Sequence, residues 1–307
     1  MNKLFASAAT AAVMAMAAPA LAADIIVVAH GQANDPFWSV VKNGAQKAGE
    51  DTGANVEFRS PETFDMVAMS QLIDAAVNQE PDGLVVSIPD ADALAPSIQR
   101  AVAAGIPVIS MNSGSDVAKD LGALLHVGQS EYDAGKAAGE KLASMGGSKG
   151  ICVNQEVGNV SLDLRCQGFA EGFGHDVKVI PTQADPAEVQ SKVRAALDSD
   201  PDVDTVLGLG ASLVGEPAVA AVEALGRDDV LVASFDLSAG FLKAVSEGRA
   251  AFAIDQQQFL QGYLPVSFLA LHAEFGLMPG GDVASGPNLV TQDAAGLVIE
   301  LSAQGIR

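Results

Sequence analysis

Few residues in this 307-residue chain have the type and spacing for covalent chemistry. Gly208-Leu209-Gly210-Ala211-Ser212-Leu213 has the look of a dinucleotide-binding loop. Leu213 stands where the third glycine belongs, and the stretch is far from the first strand–helix unit where such loops act. Asp198, Asp200, Asp202 and Asp204 alternate as calcium ligands do. Val203 replaces the glycine of the turn and Leu209 the bidentate acid, so a solvated turn is the better reading. No phosphate-binding P-loop, nucleophile elbow or zinc helix occurs. The four His are scattered, with no nucleophile–base pair among them. The sequence points to binding rather than catalysis, with no metal and no cofactor.

Strands and helices alternate along the chain. Asp24 to Ala29 is an apolar run that reads as a buried strand, and Pro36 opens a helix capped by Asp35. Phe37, Val40, Val41, Ala45 and Ala48 recur at helical spacing, and Gly53 ends the helix. Strands follow at Asn55–Arg59, Gly83–Ile88 and Ile106–Met111, with helices at Met66–Val77 and Ala93–Ala103 between them. Beyond them, strands are expected at Ile151–Asn154, Val177–Ile180, Thr205–Leu209 and Val230–Phe235, with helices starting near Ser161, Asp185 and Ser212. Such alternation builds parallel sheets covered on both faces.

The two halves echo one another. Pro81-Asp82-Gly83-Leu84-Val85-Val86 leads into one strand and Pro201-Asp202-Val203-Asp204-Thr205-Val206 into another. The next strand ends on Asn112 in the first half and on Asp236 in the second. Two similar doubly wound lobes are implied. Ligands of open α/β sheets bind beyond the carboxyl ends of the strands, so Asn112 and Asp236 should face a shared cleft from opposite sides.

Met1-Asn2-Lys3, an Ala-rich apolar stretch to Ala18 and Pro19-Ala20-Leu21-Ala22 form a secretory leader, cleaved after Ala22 or Ala23. It is too short, and too broken by Pro19, for a membrane anchor. About 285 residues remain, enough for two domains. A net charge of −21 argues against nucleic acid and against an anionic membrane surface. Cys152 and Cys166, an even pair in an exported chain, suggest one disulfide, with two buried thiols as the alternative.

The ordered set of segments resembles the ribose- and galactose-type periplasmic sugar-binding proteins of ABC transporters. It comprises Asn34-Asp35-Pro36-Phe37-Trp38, Lys42-Asn43-Gly44-Ala45, Pro81 to Pro89, Ala104 to Ile109 and His126-Val127-Gly128-Gln129 with Ala134-Gly135. Arg165-Cys166-Gln167-Gly168-Phe169, Phe235-Asp236 and Ala253-Ile254-Asp255-Gln256 complete it. The resemblance implies two doubly wound α/β lobes joined by a three-crossing hinge, with crossings near Gly128, Gln257 and Gly286. Residues 23–127 with 257–286 would form one lobe and 128–256 with 287–307 the other. It also implies a periplasmic monomer that binds a monosaccharide, polyol or amino sugar and passes it to an ABC permease and its ATPase. A sensory role beside a membrane receptor is the alternative.

By the same resemblance the ligand contacts fall on His30, Asp35, Phe37, Trp38, Asn112, Ser113, Asp163, Asp236 and Gln256. Phe37 and Trp38 offer flat rings to sugar C–H faces, and the others serve hydroxyls. Asp35 and Asp163 are each also readable as helix caps, and His30 as a loop histidine. Ser113 and Asp163 stand where ribose-type members carry Arg. If both face the cleft, its excess of acids favours a ligand ammonium group.

Overall fold

The computed structural model describes residues 22–31 and 35–307. The expected leader, Ala22 excepted, and Asn34 lie outside the described residues. The chain begins β1 (Asp24–Val28), α1 (Pro36–Thr52), β2 (Asn55–Arg59), α2 (Met66–Val77), β3 (Gly83–Val86), α3 (Ala91–Ala103), β4 (Val108–Asn112) and β5 (His126–Gly128). It continues with α4 (Glu131–Ser144), β6 (Lys149–Asn154), α5 (Val160–Phe173), β7 (Asp176–Pro181), α6 (Pro186–Ser199) and β8 (Thr205–Gly208). A π-turn at Ala211–Gly215 leads into α7 (Glu216–Leu225), β9 (Leu231–Phe235), α8 (Ala239–Ser246) and β10 (Phe252–Asp255). Last come α9 (Gln258–Phe275), β11 (Val283–Ala284), β12 (Asn288–Val290) and α10 (Gln292–Ser302).

These elements form two α/β lobes, each with a six-stranded sheet. The sheet orders are β11-β5-β4-β3-β1-β2 and β12-β10-β9-β8-β6-β7. The two orders are the same arrangement. The echoed Pro-Asp segments lead into β3 and β8, which occupy the same place in their sheets. All pairings are parallel except β10 with β12, which is antiparallel and lies at an edge. The chain passes between sheets three times: between Gly128 and Lys149, between Asp255 and Val283, and between Ala284 and Asn288.

Central strands are apolar because both faces are covered. In β1, Ile25 and Val27 join one apolar layer while Ile26 and Val28 join the other. In β6, Ile151 and Val153 face one layer of the second lobe and Cys152 the other. The outer strands β2 and β7 are more exposed and carry charged residues.

Two helix pairs approach backbone to backbone. A Cβ on Gly44 of α1 would fall 2.1 Å from the Phe259 carbonyl oxygen of α9, and one on Gly262 would fall 1.9 Å from that of Val41. In the other lobe, a Cβ on Gly135 of α4 would meet the Arg165 carbonyl oxygen of α5 at 2.1 Å. Only glycine allows these contacts. They matter for the cleft, because α1 opens with Phe37 and Trp38 and α5 carries Arg165. The cysteines of β6 and α5 are joined as a Cys152–Cys166 disulfide inside the same lobe.

Some elements differ from the sequence reading. The helix expected from Ala93 begins at Ala91, where Asp90 accepts from the Ala93 N–H at 3.0 Å. The helix expected near Ser212 begins as the π-turn. The helix α9 gave no periodic signal because it is apolar on most sides and contains Pro265.

Candidate functional site

A narrow cavity lies between the lobes at the carboxyl ends of both sheets. From the first lobe it is lined by His30, Asp35, Phe37, Trp38 and Asn112. From the second come Gln155, Glu156, Asn159, Leu162, Arg165, Leu209 and Asp236, with Gln256 at the second passage between sheets. It is small, with about 40 Å³ of free space at its centre, and is open to solvent on part of its surface. A smaller recess beside it is lined by Asp35, Phe37, Gly210 to Leu213 and Asp236. The lobes also meet where the Val160 N–H donates to the Pro89 carbonyl at 3.0 Å.

The aromatic wall is built at the start of α1. Asp35 caps this helix by accepting from the Phe37 N–H at 3.0 Å, and Pro36 sets its first turn. The rings of Phe37 and Trp38 meet edge to face, 5.0 Å apart, and Trp38 meets the His30 ring in the same way at 4.8 Å. Both residues belong to the core of their lobe as well as to the cavity wall. A Cβ at residue 31 would fall 1.6 Å from Trp38 Nε1, so Gly31 leaves the indole its place.

The polar wall joins the lobes. Ser113 Oγ donates to Asn112 Oδ1 at 2.9 Å. That contact orients the amide, whose Nδ2 donates to Gln256 Oε1 at 3.2 Å and to Gln261 Oε1 at 3.1 Å. Gln256 Nε2 in turn donates to Asp236 Oδ1 at 2.5 Å. Burial pushes the Asp236 carboxyl up to about 7, against the pull of the Arg165 charge and the Gln256 hydrogen bond. Burial pushes Glu156 up to about 7 as well, against its bond from Asn159. Burial also raises Asp35, against its bond from the Phe37 N–H.

His30 and Arg165 are fixed in different ways. Burial, with the Arg165 charge beside it, lowers His30 to about 3, so the ring is neutral. Arg165 Nε donates to Glu131 Oε2 at 2.5 Å, and its guanidinium lies 4.3 Å from the centre of the Phe235 ring. Desolvation disfavours the Arg165 charge, but the acids around it, Glu131 first and then Asp236 and Glu156, together outweigh it and raise the group. Both partners are buried, so the arginine arrives already neutralised.

The structure brings seven of the nine expected contact residues to the cavity: His30, Asp35, Phe37, Trp38, Asn112, Asp236 and Gln256. Two expectations are corrected. Ser113 is buried behind Asn112 and orients it from there. Asp163 is exposed and accepts from Asn154 Nδ2 at 2.9 Å. The inward face of α5 is set by Asn159, Leu162 and Arg165, three residues apart, which leaves Asp163 on another face. Asp163 is therefore not placed to meet a ligand ammonium group.

The sequence reading missed Gln155, Glu156, Asn159, Leu162, Arg165 and Leu209. One signal for Arg165 was available. Leu162, Cys166 and Phe169 form an apolar stripe that fixes the helix phase, and Arg165 lies beside that stripe. Among the described residues, no cluster of three or more His, Cys, Asp or Glu is placed to hold a metal ion. Among them too, no helix is long and apolar enough to cross a membrane.

Residues 25–277 match a family described as a periplasmic binding protein domain. The chain is 26% identical over 266 residues to the xylose/arabinose-binding protein XylF of Sulfolobus acidocaldarius, covering 81% of this chain and 65% of that protein. It is 26% identical over 247 residues to the ribose import binding protein RbsB of Escherichia coli, covering 78% of this chain and 82% of that one. Among solved structures, a carbohydrate transporter from Acidothermus cellulolyticus in complex with myo-inositol superposes with a TM-score of 0.89 and 34% identity. That match covers 94% of this chain and 100% of the other.

Proposed function

The chain belongs to the periplasmic binding protein domain family, and from that premise we propose that it is the exported ligand-binding component of an ABC importer. It takes a neutral sugar or cyclic polyol between its lobes, does no chemistry on it and delivers it to a membrane permease. One observation carries the reading. The interlobe cavity is lined both by the Phe37 and Trp38 rings and by a run of polar side chains, Asn112, Gln256 and Asp236, that spans both lobes. A polyhydroxylated ring needs both kinds of wall, an apolar one for its C–H groups and charged or amide partners for its hydroxyls. Because the walls come from both lobes, ligand entry is proposed to part the lobes and binding to close them.

The myo-inositol bound by the Acidothermus relative makes a cyclic polyol the first ligand to try, beside pentoses and hexoses. A thermal-shift panel of these compounds tests the proposal. A ligand that binds only the folded state raises the melting temperature with concentration. At least one neutral member should do so, and a panel in which none does overturns the reading.

A further inference from the structure

His30 and Glu156 hold equivalent places in the two lobes. Each lies two residues beyond the end of the first strand of its lobe, β1 for His30 and β6 for Glu156, and these strands match in sheet order. Across the cleft, His30 Nε2 stands 3.9 Å from Glu156 Oε2. That gap is too wide for a hydrogen bond. Both groups are held from behind. Ser87 Oγ accepts the His30 backbone N–H at 2.9 Å and lies 2.8 Å from His30 Nδ1. Asn159 Nδ2 donates to Glu156 Oε2 at 2.8 Å. The two side chains are only 4% and 11% exposed, and both line the cavity.

A hydroxyl oxygen placed about 2.8 Å from each atom would see them at an angle of roughly 90°. A slight widening of the cleft brings that angle to tetrahedral. The charges around the gap also bear on what can fill it. Arg165 is the only lysine or arginine lining the cavity among the described residues, and Glu131 already holds it. Glu156 and Asp236 therefore meet the ligand with no lysine or arginine bonded to them among the described residues.

We infer that Glu156 is a specificity-determining residue: with His30 it brackets one ligand hydroxyl across the cleft, and it excludes analogues that carry a carboxylate or phosphate there. The inference rests on the cavity being a site for polyhydroxylated ligands. An anion entering this gap would face a fixed carboxyl group, with the one lining guanidinium, Arg165, already charge-paired to Glu131 and little water to screen it. A hydroxyl can donate to the glutamate and accept from the histidine.

Matched series test this by titration calorimetry on the whole protein at pH 8, where Glu156 is ionised. The probes are D-glucose, D-glucuronate and glucose 6-phosphate; D-ribose and ribose 5-phosphate; and myo-inositol and its monophosphate. In whichever series binds, the neutral member should bind the wild type at least 100-fold more tightly than its anionic partners. Glu156→Gln keeps the shape and a hydrogen-bonding group. It should weaken the neutral ligand less than tenfold and narrow the neutral-to-anion ratio at least tenfold. Glu156→Ala should weaken the neutral ligand more than Glu156→Gln does. Equal binding of anion and neutral ligand by the wild type overturns the inference, and so does an unchanged ratio in Glu156→Gln. A wild type that binds no member of any series sinks the polyhydroxylated-ligand reading itself, a failure distinct from binding without discrimination.

Discussion

Asn112 and Asp236 are joined through one side chain, that of Gln256, which accepts from the first at 3.2 Å and donates to the second at 2.5 Å. Asn112 ends β4 and Asp236 follows β9, and these strands hold the same place in their two sheets. Both residues have a left-handed backbone, with φ of 63° and 70°. Asn and Asp tolerate that region better than other non-glycine residues. The paired turns carry one polar group from each lobe into the cavity, and Gln256 ties them at the point where the chain leaves β10.

Asp236 is proposed to accept ligand hydroxyls. Losing one partner of a desolvated, charged hydrogen bond costs about 2–5 kcal/mol. Asp236→Ala should weaken the ligand that the thermal-shift panel identifies by a factor on the order of a hundred or more, with the fold intact by circular dichroism. A loss of tenfold or less would assign the acid a structural role.

Ligand should close the lobes. The cavity takes its walls from both lobes, so a ligand held there touches both at once. Small-angle scattering should give a smaller radius of gyration with saturating ligand than without. The same radius in both states, with binding proven, would rule out hinge closure.

The buried groups predict an unusual pH profile. Asp236 and Glu156, raised to about 7, keep protons in the folded state that the unfolded chain loses above about pH 4. Each therefore lowers stability as pH rises toward 7. His30 and His126 are lowered to about 3 and about 4, so folding costs them protons below pH 6.5, and each raises stability as pH rises to that point. Each group contributes about 1.4 kcal/mol per pH unit, so the four nearly cancel between about pH 4.5 and 6.5. Above that only the acids act, and stability should fall by roughly 1–2 kcal/mol by pH 8. Urea unfolding at pH 5, 6.5 and 8 checks this. In Asp236→Asn one falling contribution is gone, so stability should climb by about 2 kcal/mol from pH 5 to 6.5. A wild type that gains stability from pH 6.5 to 8 would contradict the assignment.

The Cys152–Cys166 bond closes a short loop between β6 and α5. A loop of this length should contribute about 3 kcal/mol in the chain-entropy model. Urea unfolding with and without reductant measures it. Two alkyl adducts on the unfolded, unreduced protein would show that no bond is present.

Much of the fold was legible because β1, β3, β4, β8 and β9 are short, mostly apolar runs, the mark of strands covered on both faces. The echoed Pro-Asp segments gave the duplication, and the duplication placed Asn112 opposite Asp236. The helix α4 was not legible, since Gly135 and Gly139 serve close packing against α5 at the cost of helical propensity. Glu156 lies in a loop with no periodic pattern, and only the match of β1 with β6 shows that it answers His30. Asp163 was misplaced because a resemblance fixes a position in the chain and not the direction of a side chain.

Trp38 is the only tryptophan in the chain, and it stands in the cavity wall. The emission of the protein therefore comes from a ring at this cavity, with no second tryptophan contributing. Titration with the ligand identified by thermal shift should change the intensity or wavelength of Trp38 fluorescence saturably, with the same half-point as calorimetry and one ligand per chain. A ligand that stabilises the protein yet leaves Trp38 emission unchanged at saturation would bind elsewhere, and would contradict the assignment of the interlobe cavity as the binding site.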